Sequence, residues 1–159
     1  MGAGMAGIDV EGRLAALGLE LPEPAAPLAA YVPFVRAGSL LHVSGQIARG
    51  PNGVIQGLLG QDMAAEAGAE AAQTCALHLL AQVRAACEGD WGGLLRAVKL
   101  TGFVASSPGF FDQPKVVNGA SELLVAVLGE AGRHARSAVG VSALPLGAAV
   151  EVEGVFELR

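Results

Sequence analysis

Aromatic residues make up only 4% of this 159-residue chain, with five Phe and single Trp and Tyr residues. The core must therefore be built from Ala, Leu and Val, and no stacking platform for nucleic-acid bases is present. Two cysteines, Cys75 and Cys87, are too few for a disulfide framework. They join no metal-ligand cluster, and His42, His78 and His134 lack zinc-ligand spacing. Charge is scarce at 16% and its balance is −5, which disfavours a surface built to neutralise phosphates. No uncharged run approaches the roughly 20 apolar residues that span a bilayer. The first residues, Met1 to Gly7, carry no charged segment ahead of an apolar run, so no secretory signal is read there. P-loop, dinucleotide and nucleophile-elbow signatures are missing. A cytoplasmic protein of one domain, without a metal or other cofactor, is the expectation.

What is present is hydrophobic patterning, at 52% apolar residues. A disordered start over residues 1–7 leads into a short helix from Asp9 to Leu17, with Val10, Leu14 and Leu17 on one face and Gly18 as the stop. The prolines of Leu21–Pro27 then forbid regular structure and make a wrapping segment. Tyr31–Arg36 and Leu40–Ser44 read as a hairpin around Ala37-Gly38, and Asn52-Gly53 marks a further turn. Asp62 is a suitable N-cap for a helix reaching Cys87. Its stripe is Ala69, Ala72, Ala76, Leu79, Leu80, Val83 and Cys87, with His78 on the solvated side. A strand follows over Leu95–Ser106. A second helix starts at Asp112 and Pro114, buries Val116, Ala120, Leu123, Leu124 and Val127, turns Asn118 away, and ends at Gly129 or Gly132. Strands over Ser137–Ala143 and Ala149–Leu158 close the chain.

The order β-β-α-β-α-β-β after a short helix describes an α+β domain with two helices layered on one face of a mixed sheet. The bare second face, with so little charge to solvate it, calls for self-association.

One residue stands out chemically. Arg136 opens a small, apolar strand and shares its face with Ala138, Gly140 and Ser142. A guanidinium matches a carboxylate bidentately, and small neighbours leave room for an anionic ligand. The plain alternative is an edge-strand arginine in a surface ion pair. On the last strand Glu151, Glu153 and Glu157 share one face opposite Val150, Val152 and Phe156. The functional reading is that one of the three, Glu151 first, lies near Arg136 and orients a water or carries a proton; the plain reading is a solvated acidic face.

Ala135-Arg136-Ser137-Ala138-Val139, then Leu144-Pro145 and Val150-Glu151-Val152-Glu153, resembles the C-terminal signature of the RidA/YjgF family. These are reactive enamine/imine deaminases, also called endoribonuclease L-PSP or translation inhibitors. The resemblance spans residues 28–159 and runs through Tyr31, Ser44-Gly45-Gln46-Ile47, Lys99 to Val104 and Asn118, while residues 1–27 and the run at 109–120 look like a longer subgroup. It implies a chorismate-mutase-like fold and a homotrimer whose sheets face the centre, with clefts at the subunit interfaces. It also implies that Arg136 pairs with the carboxylate of a 2-aminoacrylate-type enamine or imine. Glu151 would help place the attacking water, and Tyr31, Ser44, Gly45, Asn118 and Ala138 would line the cleft. The family often has a cysteine where Ala138 stands, so only a backbone role carries over there. The implied reaction is hydrolysis to a 2-keto acid and ammonia. Non-catalytic binding of small carboxylates, or a ribonuclease, are the other readings.

Overall fold

The computed structural model describes residues 7–27 and 29–159, so the expected disordered start lies outside it except for Gly7. Helix α1 (Val10–Ala16) is capped by Asp9, whose carboxylate accepts from Gly12 N at 3.0 Å. Val10 and Leu14 are buried as their spacing predicts, but Leu17 ends up half-exposed because it lies past the last turn. Arg13 ties α1 to the body by donating to the Val127 carbonyl at 2.8 Å, and Trp91 Nε1 donates to Glu11 at 2.6 Å. Three helices therefore build the layer where two were expected.

Strands β1 (Phe34–Ala37) and β2 (Leu40–Ile47) form a hairpin whose turn is Gly38-Ser39, with Gly38 at φ 62. The predicted strand from Tyr31 starts at Phe34 instead, after Pro33 removes a donor. A small hairpin, β3 (Arg49–Gly50) with β4 (Gly53–Val54), surrounds the Asn52-Gly53 turn. Helix α2 (Ala65–Ala86) begins at Ala64, which gives no side-chain cap. Asp62 is not that cap: its carboxylate accepts from Leu58 N at 2.6 Å in the preceding loop. The expected stripe is buried except that Ala69 and Cys87 are half-covered. His78, expected in solvent, is only 9% exposed. The cause is one turn further along, where Gln82 Nε2 donates to the Ala25 carbonyl at 2.8 Å and draws the proline-rich segment across that flank.

Strand β5 (Leu94–Ala105) precedes α3 (Gln113–Leu128), which buries all five predicted stripe residues and stops at Gly129, φ 64. Strand β6 (Ala135–Val141) starts two residues before the predicted Ser137, because its pairing with β5 runs from Lys99–Ala135 onward. Strand β7 is Val150–Leu158.

The main sheet has five strands in the order β1-β2-β7-β5-β6. Only β5 and β6 pair in parallel, which needs the α3 crossover between them. Phe156, Leu100, Val104, Leu79, Leu80 and Leu124 fill the space between sheet and helices, a core of aliphatic residues as the composition requires. No described helix lies over the opposite sheet face. Val35 and Val139 there are 54% and 43% exposed. No described helix is long and apolar enough to cross a membrane.

Candidate functional site

The expected site residues fall into two groups, and sheet register explains why. Arg136 pairs with Leu100 on β5, which pairs with Gly154 on β7. Residues opposite one another on a ladder share a face. Leu100 is buried beneath the helices, so Arg136 belongs to the helix-covered face. Glu151 pairs with Phe103, which pairs with Val139. That row lies on the open face. Within one chain, Arg136 and Glu151 therefore point to opposite sides of the sheet.

The first group is built on β6 and α3. Arg136 Nη1 donates to Asn118 Oδ1 at 2.8 Å and to Ser121 Oγ at 3.2 Å, and Nη2 donates to the Pro114 carbonyl at 3.3 Å. No described carboxylate forms an ion pair with it, so the surface-ion-pair alternative does not hold among the described residues. Three of the five guanidinium donors are used. Nε–H and one Nη2–H have no partner among the described residues. The small neighbours on its face have a different cause from the one expected. A Cβ at Gly140 would sit 2.7 Å from Ser106 Oγ and 2.8 Å from Gln113 Nε2, and Ala138 packs partly against the core. At Gly140 that wall is small because Ser106 and the first residue of α3 press on it, not because it opens a cavity.

Ser121 and His134, not singled out in the sequence, complete this group. Ser121 Oγ lies 2.9 Å from His134 Nε2, and His134 Nδ1 lies 2.6 Å from the Gly132 carbonyl. Burial, seconded by the Arg136 charge and opposed by the Gly132 bond, lowers the His134 pKa below 6.5. The signal was available: Ser121 is one helical turn after Asn118, and His134 is two strand positions before Arg136.

The second group lines a cleft of about 210 Å³ and includes Tyr31, Ser44, Gly45 and Glu151. Its far wall is Ala25, Ala26 and Pro27 from the proline-rich segment, and Gln46, Arg49 and Pro145 also border it. Register between β2 and β7 shifts between Val43 and Gln46, so Ser44 and Gly45 together stand opposite Glu153. Such a bulge re-aims side chains. Ser44 Oγ donates to the Val32 carbonyl at 2.7 Å, which pins the chain next to Tyr31. The Glu151 carboxylate occupies the place where a Gly45 Cβ would be. Burial, then the neighbouring Glu153 charge, raises the Glu151 pKa above the ordinary 4.5. Glu153 borders a separate groove with His42 and Lys99, and Glu157 pairs with Leu40 and Arg96. Of the three carboxylates only Glu151 borders the cleft.

The thiols take no part in either group. Cys75 is fully buried, and burial followed by the Glu151 charge pushes its pKa far up. Among the described residues no group of three or more His, Cys, Asp or Glu could hold a metal ion.

Comparison with known proteins places this geometry. Residues 11–158 match the model of the family described as "YjgF/chorismate mutase-like, putative endoribonuclease". The protein TCP17 of Trypanosoma cruzi is 49% identical over 158 residues, 96% of this chain and 98% of its own length. The crystal structure of Atu1372 of Agrobacterium tumefaciens, a protein of unknown function, is 47% identical, covers 94% of both chains and superimposes with a TM-score of 0.87. A structure of a putative endoribonuclease from Shewanella oneidensis MR-1 is 37% identical, covers 93% of this chain and 98% of its own, and gives a TM-score of 0.89.

Proposed function

This chain belongs to the YjgF/RidA family, and on that premise we propose that it hydrolyses 2-aminoacrylate-type enamines and their imine tautomers to 2-keto acids and ammonia. The observation that carries the reading is the Arg136 guanidinium, held by three neutral acceptors and, among the described residues, unpaired with any carboxylate and left with two free donors. A substrate carboxylate is the group that matches such a fork.

The second half of the reading is assembly. Arg136 and Glu151 lie on opposite faces of one sheet, so a single site uses Arg136 of one copy with the Glu151 cleft of another. A homotrimer with open sheet faces packed inward would supply this, and it would cover the exposed Val35 and Val139. Tyr31, Ser44 and Gly45 then come with Glu151, and Asn118 comes with Arg136. Ala138, turned to the Arg136 face, contributes at most its backbone.

The chemistry asks little of the protein. Protonation of the enamine methylene carbon gives an iminium ion, which becomes the imine when nitrogen releases a proton, and in both the C=N carbon is already electrophilic. With the carboxylate clamped, a water beside Glu151 forms the new C–O bond while the C=N electron pair moves to nitrogen and takes a proton. Collapse of the carbinolamine breaks the C–N bond, releasing ammonia and the keto acid. Glu151, with its raised pKa, is suited to accept the water's proton and return one to nitrogen. Holding the substrate and water in place supplies the rest.

The test generates 2-aminoacrylate in situ with a serine dehydratase and follows pyruvate and ammonia. Faster release with the wild-type protein, lost in Arg136→Ala, is expected. Release no faster than in buffer would overturn the reading. Binding of pyruvate without turnover would favour a carboxylate-binding role at the same cleft.

A further inference from the structure

The carboxylate clamp has a support that ends on a histidine. The Gly132 carbonyl can only accept, so the 2.6 Å contact requires a proton on His134 Nδ1. In the neutral ring Nε2 is then an acceptor, and the Ser121 hydroxyl must donate to it across 2.9 Å. With its proton so committed, Ser121 Oγ presents lone pairs to Arg136 Nη1 at 3.2 Å. The direction of every bond in the chain follows from the carbonyl at its end.

We propose that His134, acting through Ser121, is a positioning residue for Arg136: it commits Ser121 Oγ as an acceptor for Nη1, which with Asn118 and the Pro114 carbonyl fixes the guanidinium with Nε–H and one Nη2–H free for a substrate carboxylate. This rests on the reading of Arg136 as a carboxylate clamp. Without the histidine acceptor, the Ser121 proton is free to turn toward Nη1, and two donors would then face each other. Protonation has a similar result, because Nε2 becomes a donor and a second positive charge stands beside Arg136.

The groups around the ring favour the neutral form. Its charged neighbour is Arg136, two residues on in β6, α3 brings the uncharged Ser121, and the turn before β6 brings the Gly132 carbonyl. Arg133 is engaged with Glu130 at 3.1 Å, and Lys99, paired with Ala135, lies on the other face. The lowered His134 pKa keeps the ring neutral at pH 7.

The experiment titrates the assembled protein with pyruvate and, separately, with uncharged pyruvamide, for the wild type and for Arg136→Ala, His134→Phe, Ser121→Ala and Ser121→Thr. His134→Phe and Ser121→Ala should weaken pyruvate binding about tenfold, the size of one hydrogen bond to a charged group, and leave pyruvamide unchanged. Ser121→Thr, which keeps the hydroxyl, should retain most of the affinity. Wild-type affinity for pyruvate should fall as the pH drops below 6.5, and the His134→Phe profile should be flat. Should His134→Phe not fold, the Ser121→Ala and Ser121→Thr pair decides. Wild-type affinity in His134→Phe and Ser121→Ala, with binding lost in Arg136→Ala, would overturn this inference alone. So would equal losses for pyruvate and pyruvamide, which mark a merely structural role. Wild-type affinity in Arg136→Ala, or no pyruvate binding by the wild type, would overturn the clamp reading and this inference with it.

Discussion

Gly45 has no room for a side chain, since the Glu151 carboxylate fills the place of its Cβ. Gly45→Ala must push Glu151 out of the cleft. We expect a protein that still folds but loses most of its kcat, at least about tenfold, as misplaced catalytic groups do; circular dichroism beside the deaminase assay would check both halves. Glu151 itself predicts a pH profile. Its pKa is raised above 4.5 by burial, so the ionised form that accepts a proton is lost as the pH falls through that raised value. The acid limb of kcat should therefore lie above pH 4.5 in the wild type and be absent from the residual activity of Glu151→Gln. The His134 effect, by contrast, should appear in KM. At this scale the sequence was readable where chemistry is costly. An arginine in an apolar strand demanded a reason. Ser121 and His134 are marked only by their spacing from Asn118 and Arg136, since a serine and a histidine acquire their roles only once α3 folds over β6.

Helices α2 and α3 approach so closely at Gly119 that a methyl there would collide with the Ala69 carbonyl. Asn118 flanks Gly119, and Ser121 lies two residues beyond it on the same helix. Gly119→Ala should force the helices apart, costing about 1–3 kcal/mol as overpacking does. The same shift should loosen the acceptors of Arg136. A lower urea midpoint together with weaker pyruvate binding is the expected pair of readings, and unchanged pyruvate binding would show that α3 moves as a rigid unit. The five strands of the main sheet and the three helices were legible, since hydrophobic spacing is a local property that packing here respects, whereas the two-residue strands β3 and β4 are too short to carry a pattern and only their turn was read. What escaped were positions decided by contacts far along the chain. Asp62 was drawn into a loop by Leu58 N, His78 was covered by the proline-rich segment, and β6 was lengthened by its parallel partner.

The opposite-face placement of Arg136 and Glu151 makes a prediction about the whole assembly. Arg136→Ala should be inactive alone, and Glu151→Gln should keep only a small residual activity. Co-refolded in equal amounts, they should recover about a quarter of wild-type activity, because random mixing in a cyclic oligomer joins an intact Arg136 to an intact Glu151 in that share of interfaces. No recovery would mean that both residues act within one copy. The bare face and the scarcity of charge already pointed to self-association; which residues meet across an interface depends on register, which spacing alone does not reveal. The cleft's outer wall has its own consequence. Ala25, Ala26 and Pro27 form it without a ladder bond, held by prolines, by Leu19 and Leu21 against the core, and by the Gln82 bond to Ala25. Mutations there can reshape the entrance without disturbing any strand. Under the proposed reading, drift in that segment would alter which substrates enter while Arg136 and Glu151 stay in place, so chemistry and substrate choice would be encoded in separate stretches of the gene.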